Sequence, residues 1–533
     1  MNVPWTGETA VAIGADWLLA AIAPAGAFGR AARGRERAFR RGDEAAARTA
    51  LAAVGRVAAE IAAPRLAELR SAIARAPDIT STLVRAQSGA TLGDVDFFEI
   101  ARFIDALDEV ARRTAHAVFA AKSVPPADPL LREALARGRS AARTFYLADA
   151  LAPELGFARG EAARAQAVYD VTRGRATARI AQALGRETLG DDTFTVMRDA
   201  LPAPLPAGLR IVREAPSYVL CNVACDVETL AALAARDAAA DEVARAEQRV
   251  RERLSGDVAR AAPSLAAACD ALGDLDALVA RAAFAERHRC VVPEIAGDAT
   301  VAFTDGRYLP LAELLAARAR PYTPLTFELA GSAVVTGPNM GGKTAALRTL
   351  GFVVACTAVG VPVPAASARV PLVDEVAWLG IGAGGGEETL LSSFGREVVG
   401  LHAFLDRAAP RGLALIDEFA RTTSPREGRA LLVALLERLR ALGGLALVAT
   451  HLVGVAEAAG AAHYATRGLG PLPPHGGVPL TLDAALARIE GVMDYRLVRS
   501  DERAIASSDA LALAGALGLD PALIARAEFH LRA

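Results

Sequence analysis

The chain has 533 residues, 53% of them apolar and 23% charged, a balance that excludes a disordered or collagen-like chain and gives room for roughly three to four domains. With 59 basic against 61 acidic residues the net charge is −2, so there is no global cationic field to gather nucleic acid, and partners have to be argued from sites. Five cysteines (Cys221, Cys225, Cys269, Cys290, Cys356) are too few for a disulfide scaffold and suit a reducing cytoplasm.

The first residues carry Glu8 and Asp16 and no basic side chain before Arg30, which does not read as a signal peptide. From Glu8 to about Arg320 apolar residues recur three and four apart in an Ala/Arg/Leu/Glu background, the pattern of amphipathic helices. The run Arg30, Arg33, Arg35, Arg37, Arg40, Arg41 is diluted by Glu36, Asp43 and Glu44 and reads as a solvated helix face. Phe97, Ile100 and Ile104 share one helical face, so Phe97-Phe98-Glu99 belongs to a core helix. A proline-rich break, Leu201 to Pro206, divides the helical region, and behind it Leu209–Val212 and Tyr218–Leu220 fit a small hairpin. Cys221 and Cys225 sit four apart with no second pair or nearby histidine, so they read as buried thiols rather than zinc ligands. The stripe Val243, Ala246, Val250, Leu254, Val258 marks a further helix.

After Arg320 short apolar runs alternate with helices, as α/β units do: Ala333–Val335, Leu413–Ile416 and Leu445–Val448 read as strands. Thr349 to Ala368 carries no charge, but Pro362 and Pro364 interrupt it, so it reads as a buried helix, a turn and a strand rather than a membrane span. Gly468 to Pro479 reads as a surface loop.

Gly337-Pro338-Asn339-Met340-Gly341-Gly342-Lys343-Thr344 fits G-x-x-x-x-G-K-[ST], with a strand before it and a helix after it. Such glycines let the backbone turn its N–H groups toward phosphate oxygens, and the helix starting near Lys343 adds its positive end. Lys343 would reach the β- and γ-phosphates and the Thr344 hydroxyl would ligate Mg²⁺. Only two lysines occur in the chain, Lys122 and Lys343, and one of them stands at the motif position. Arginine's planar fork substitutes poorly for a compact ammonium there. Downstream, Leu413–Ile416 ends in Asp417-Glu418. Asp417 suits a Mg²⁺ ligand acting through its water shell, and Glu418 suits the base that orients the attacking water. The third strand ends in Thr450-His451, where a neutral imidazole could sense the γ-phosphate.

Here the chain resembles a known family. Thr336 to Thr344 is similar to the T-G-P-N-M-G-G-K-[ST] loop of the MutS mismatch-repair ATPases. Asp417-Glu418-Phe419-Ala420-Arg421-Thr422-Thr423-Ser424 with Glu427-Gly428 is similar to that family's D-E-[IL]-G-R-G-T-S and following D-G, with Thr422 standing where the family has glycine. Ala449-Thr450-His451 matches its A-T-H, and Ala512 to Arg526 resembles its closing helical segment. The resemblance implies ATP and Mg²⁺ as cofactors and a dimer, with itself or a related chain. In that dimer Ser392 or Ser393, matching the family's S-T-F loop, would meet the partner's nucleotide. Gly380 to Glu388 departs from the family's pattern. Tyr322, shortly before the loop, is the candidate to stack on adenine. The expected architecture is α + α/β: a helical core over 1–205, a small hairpin with lever helices over 206–320, and an ABC-type ATPase domain with a helical tail over 321–533.

The target stays open. From Val223 to Ala262 eight acidic residues face six arginines, whereas a clamp tracking phosphates needs excess positive charge. The resemblance implies action on DNA, as in mismatch repair or the processing of other DNA structures. Clamp-less members instead reactivate adenosylcobalamin-dependent aminomutases, a protein-remodelling role without DNA. A transport ATPase is the third alternative, and the position of the helical part ahead of the nucleotide motif speaks against it. The cysteine usage, the charged first residues and the proline-broken apolar stretch together lead to the expectation of a cytoplasmic protein without a membrane span.

Overall fold

The structure is a computed structural model. It describes residues 2–115, 125, 128–138, 145–191, 193–338, 341–380, 393–407, 412–421, 423–470, 485, 488–489, 491–500 and 510–532. The chain divides into two compact units, one of Ala76–Asp108 with Pro125–Cys269, the other of Met1–Arg75, Glu109–Val124 and Asp270–Ala533. The helices Asp94–Thr114 and Val227–Arg287 each contribute to both.

The unit of 76–108 and 125–269 is mainly helical. Phe97, Ile100 and Ile104 are buried, as the helical periodicity predicts, and so are Ala246, Val250, Leu254 and Val258. The proposed hairpin is present, but as part of a larger sheet. The strands β1 (Thr193–Met197), β2 (Leu209–Glu214) and β3 (Tyr218–Val223) form an antiparallel sheet in the order β1-β3-β2. Its inner face, with Phe194, Val196, Val219 and Cys221, packs on Ala176 and Ile180 of the helix Pro153–Ala183. The strand β1 precedes the proline-rich break and is buried on one face only, so its threonines interrupt any apolar run and it does not announce itself by pattern. Cys221 and Cys225 are free thiols, and burial pushes the Cys221 thiol up.

The other unit holds two sheets. A four-stranded sheet has the order β4-β8-β5-β6, from β4 (Glu294–Ala296), β5 (Thr300–Gly306), β6 (Leu325–Ala330) and β8 (Ser367–Pro371). The six-stranded sheet has the order β13-β12-β7-β11-β10-β9. It comprises β7 (Ser332–Thr336), β9 (Val376–Gly380), β10 (Leu413–Asp417), β11 (Leu445–Ala449), β12 (Ala462–Leu469) and β13 (Met493–Arg499). Five of these run parallel; β13 pairs antiparallel with β12.

Alternate residues of the parallel strands serve two cores, as the pleat requires. Val335, Leu413, Leu415 and Leu447 pack with Leu347 and Leu350 of the helix Lys343–Ala358. Val334, Ala414, Ile416 and Val448 pack with Leu432 and Leu436 of the helix Pro425–Ala441. Parallel strands covered on both faces read as unbroken apolar runs, which is why β7, β10 and β11 stand out in the sequence. The uncharged stretch from Thr349 resolves into the end of a buried helix, a turn and β8. Among the described residues no helix is long and apolar enough to cross a membrane.

Candidate functional site

The C-terminal ends of β7, β10 and β11 lie side by side, in register Asp417 with Ala449 and Ala449 with Val335. In an open parallel sheet this edge is where ligands bind. The chain leaves β7 at Gly337, whose φ of +138° lies outside the range of ordinary side chains, and enters the next helix through Gly342 at φ +93°. A Cβ on Gly337 would meet the Thr466 hydroxyl at 1.9 Å, so this glycine is also required by space.

Lys343, at the helix start, is only 6% exposed. Its Nζ donates to the carbonyls of Gly337 (2.9 Å) and Pro338 (3.0 Å) and stands 4.0 Å from Glu418 Oε1. Burial pushes its pKa down, and Glu418 and Asp417 oppose that shift. The Thr344 hydroxyl donates to Asp417 Oδ2 (3.0 Å) and Oδ1 (3.2 Å). Burial pushes the Asp417 carboxyl up, while the Thr344 hydrogen bond holds it back. The four side chains expected to act together, Lys343, Thr344, Asp417 and Glu418, therefore converge although some seventy residues separate the two pairs in sequence.

Glu418 has φ +53°, and its N–H donates to the Ala449 carbonyl at 2.9 Å. Its carboxylate meets Arg421 at 3.5 Å. Ala420 has φ +62° at a position where the motif resembled above has glycine. Its N–H donates to Glu397 Oε2 at 2.7 Å, which fixes the turn. Ser424 then caps the helix Pro425–Ala441: its hydroxyl accepts from the Glu427 N–H and donates to the Glu427 carboxylate.

A cavity of about 1000 Å³ opens on this edge, lined by Lys343, Thr344, Asp417 and Glu418 at one end and by Tyr322, Arg348 and Tyr495 elsewhere. Tyr322 lines it with its hydroxyl engaged, accepting the Tyr308 N–H at 2.8 Å. Tyr495 was not singled out by sequence. Its ring approaches Gly342, where a Cβ would stand 3.3 Å from it, and it reaches the cavity because β13 folds back onto β12. His451 follows β11 as expected, but its side chain is exposed and is not part of the cavity lining. Asn339, Met340, Ser392 and Thr422 lie outside the described residues; Ser393 opens the helix Ser393–Arg407, and its side chain is likewise outside them.

The donor set fits a small hard cation. The Thr344 hydroxyl and both Asp417 oxygens already share hydrogen bonds at the cavity wall, and oxygens of this kind are what Mg²⁺ takes. Among the described residues no cluster of three or more histidine, cysteine or acidic groups could hold a metal, so such an ion would draw the rest of its shell from phosphate and water.

Residues 333–466 match the family model of MutS domain V. An endonuclease MutS2 of Pelotomaculum thermopropionicum is 33% identical over 208 residues, 38% of this chain and 26% of that protein. A DNA mismatch repair protein MutS of Haloquadratum walsbyi is 36% identical over 203 residues, 37% of this chain and 21% of that protein. A third relative, a DNA mismatch repair protein MutS of Granulibacter bethesdensis, is 33% identical over 217 residues, 40% of this chain and 23% of that protein. The chain thus spans about a quarter of the length of the curated relatives it matches.

Proposed function

We propose, from the premise that the chain belongs to the MutS family, that residues 321–533 form an ABC-type ATPase domain that hydrolyses ATP with Mg²⁺ and drives conformational change on DNA. The observation that carries this reading is the convergence of Lys343, Thr344, Asp417 and Glu418 on one cavity. The Lys343 ammonium would leave its two loop carbonyls for phosphate oxygens. Thr344 and Asp417 would hold Mg²⁺, whose charge offsets that of the phosphates. Glu418 would orient the attacking water and take its proton. Gly342 and the helix behind it offer backbone N–H groups to the phosphates, as Gly337, Asn339, Met340 and Gly341 do on the sequence reading; Pro338, which has no N–H, shapes the loop instead. Tyr322 and Tyr495 supply the aromatic surface for a base.

The family's pattern supports a cytoplasmic dimer, of this chain with itself or with a related one, with Ser392 or Ser393 meeting the partner's nucleotide. His451 keeps the sensor role only if closure of that dimer brings it inward.

DNA as the target is supported by what the relatives' names say of them. A second reading, a protein partner without DNA such as a cobalamin-dependent aminomutase, is favoured by a specific observation. All six arginines of Val223–Ala262 pair with acids: Arg236 with Asp237, Arg245 and Arg249 with Glu242, Arg251 with Asp94, Arg253 with Glu154 and Arg260 with Asp257. Such a surface has little net positive charge to exchange for counterions. The discriminating experiment is ATP turnover with and without duplex, mismatched and branched DNA at low and physiological salt. A rate changed by DNA at physiological salt supports the DNA reading; a rate blind to every DNA sinks it in favour of the protein partner.

A further inference from the structure

Thr466 lies in β12, next to the start of the phosphate loop, because β12 runs parallel to β7 with Ala465 opposite Thr336. It is 1% exposed, and among the described residues its hydroxyl has no hydrogen-bond partner. That hydroxyl fills the space beside two loop glycines: a Cβ would come within 1.9 Å of it at Gly337 and 2.7 Å at Gly341. A buried hydroxyl without a partner is costly, and one held against the backbone of a binding loop has a small set of possible partners.

The strand gives it no freedom to retreat. On one side of Thr466, the Tyr464 hydroxyl donates to the Glu328 carbonyl at 2.7 Å. His463 is buried; its Nδ1 donates to the Ser500 carbonyl (3.2 Å), and its Nε2 pairs with the Thr336 hydroxyl (2.8 Å). These bonds tie β12 to β6, to β7 and to Ser500 beyond β13.

The loop, in contrast, has bonds to exchange. The Gly337 and Pro338 carbonyls are held by the Lys343 ammonium. Resting on the nucleotide reading above, phosphate takes that ammonium and leaves the Gly337 carbonyl without its donor, while the Pro338 carbonyl keeps the Gly341 N–H at 3.1 Å. We propose that Thr466 is a positioning residue that takes over the loop backbone at this moment, its hydroxyl donating to the carbonyl Lys343 has released, so that nucleotide binding satisfies a group the empty site leaves unpaired. The hydroxyl touches no reacting atom; it acts through Gly337.

This gives two effects of opposite sign for one substitution. Thr466→Val keeps the shape and removes the hydroxyl. The empty protein should then melt at the same or a higher temperature, while the dissociation constant for Mg-ATP rises about tenfold. Thr466→Ser keeps the hydroxyl and should bind within about threefold of the native chain. A packing role would instead lower the melting temperature of Thr466→Val, or weaken binding equally in both variants, and either result overturns the proposal. Native-like binding by Thr466→Val overturns it alone, whereas a native chain that binds no nucleotide overturns the ATPase reading and this proposal together.

Discussion

Glu418 is held in a backbone conformation that costs an ordinary residue roughly 1 kcal/mol, and its N–H is fixed to Ala449 on the neighbouring strand. The strained turn brings the carboxylate within 4.0 Å of Lys343 at the cavity wall. Glu418→Gln keeps size and hydrogen bonding but cannot take a proton, so ATP should bind within about threefold of native while kcat falls about 10²–10⁴-fold. An undiminished kcat would remove Glu418 from the role. Asp417 makes a different prediction. Its pKa is raised by burial, so its charge costs stability in full at pH values above that raised pKa, and the cost shrinks as the pH falls from it to the ordinary value of 3.8, below which it is gone. Asp417→Asn should therefore raise the melting temperature of the nucleotide-free protein at pH 7, with the gain shrinking toward the ordinary aspartate value of 3.8, and should abolish Mg-dependent turnover. Lys343, Thr344, Asp417 and Glu418 were legible because local motifs fix their chemistry. Thr466 and Tyr495 were not: Thr466 is placed by the pairing of β12 with β7 across more than a hundred residues, and Tyr495 by the return of β13 onto β12, and neither pairing leaves a mark on local pattern.

At the scale of elements, the helix Lys343–Ala358 links the site to the core. It is buried on nearly every side, so it reads as apolar all round rather than amphipathic. Gly351 at its middle is required by neighbours: a Cβ would stand 2.6 Å from Ile13 and 2.8 Å from Leu415. Gly351→Ala improves helix propensity by about 1 kcal/mol, yet overpacking should dominate and leave the protein about 1–3 kcal/mol less stable by chemical denaturation. A stabilised variant would mean that the helix is not clamped between these residues. The strands of this part were legible as apolar runs, and the sheet order was not, since periodicity says that a face is buried without saying against what. The same limit applies to the helix Gly7–Ile13, whose Ile13 packs on the helix that carries Lys343.

For the molecule as a whole, the match to MutS domain V covers the site and little else, and the helical remainder has to be read from its own residues. There the arginines are neutralised by acids on the same surface, which is why the choice between DNA and a protein partner turns on experiment rather than on the family's name. Both choices need the site to work. Its most direct test is ATP hydrolysis in Mg²⁺ by the purified chain beside Lys343→Ala. Turnover is expected from the native protein and about the blank rate from the variant, since among the described residues the other cations lining the cavity are arginines, whose planar fork substitutes poorly for a compact ammonium on the phosphates. Equal rates in the two proteins, or none in the native one, would contradict it.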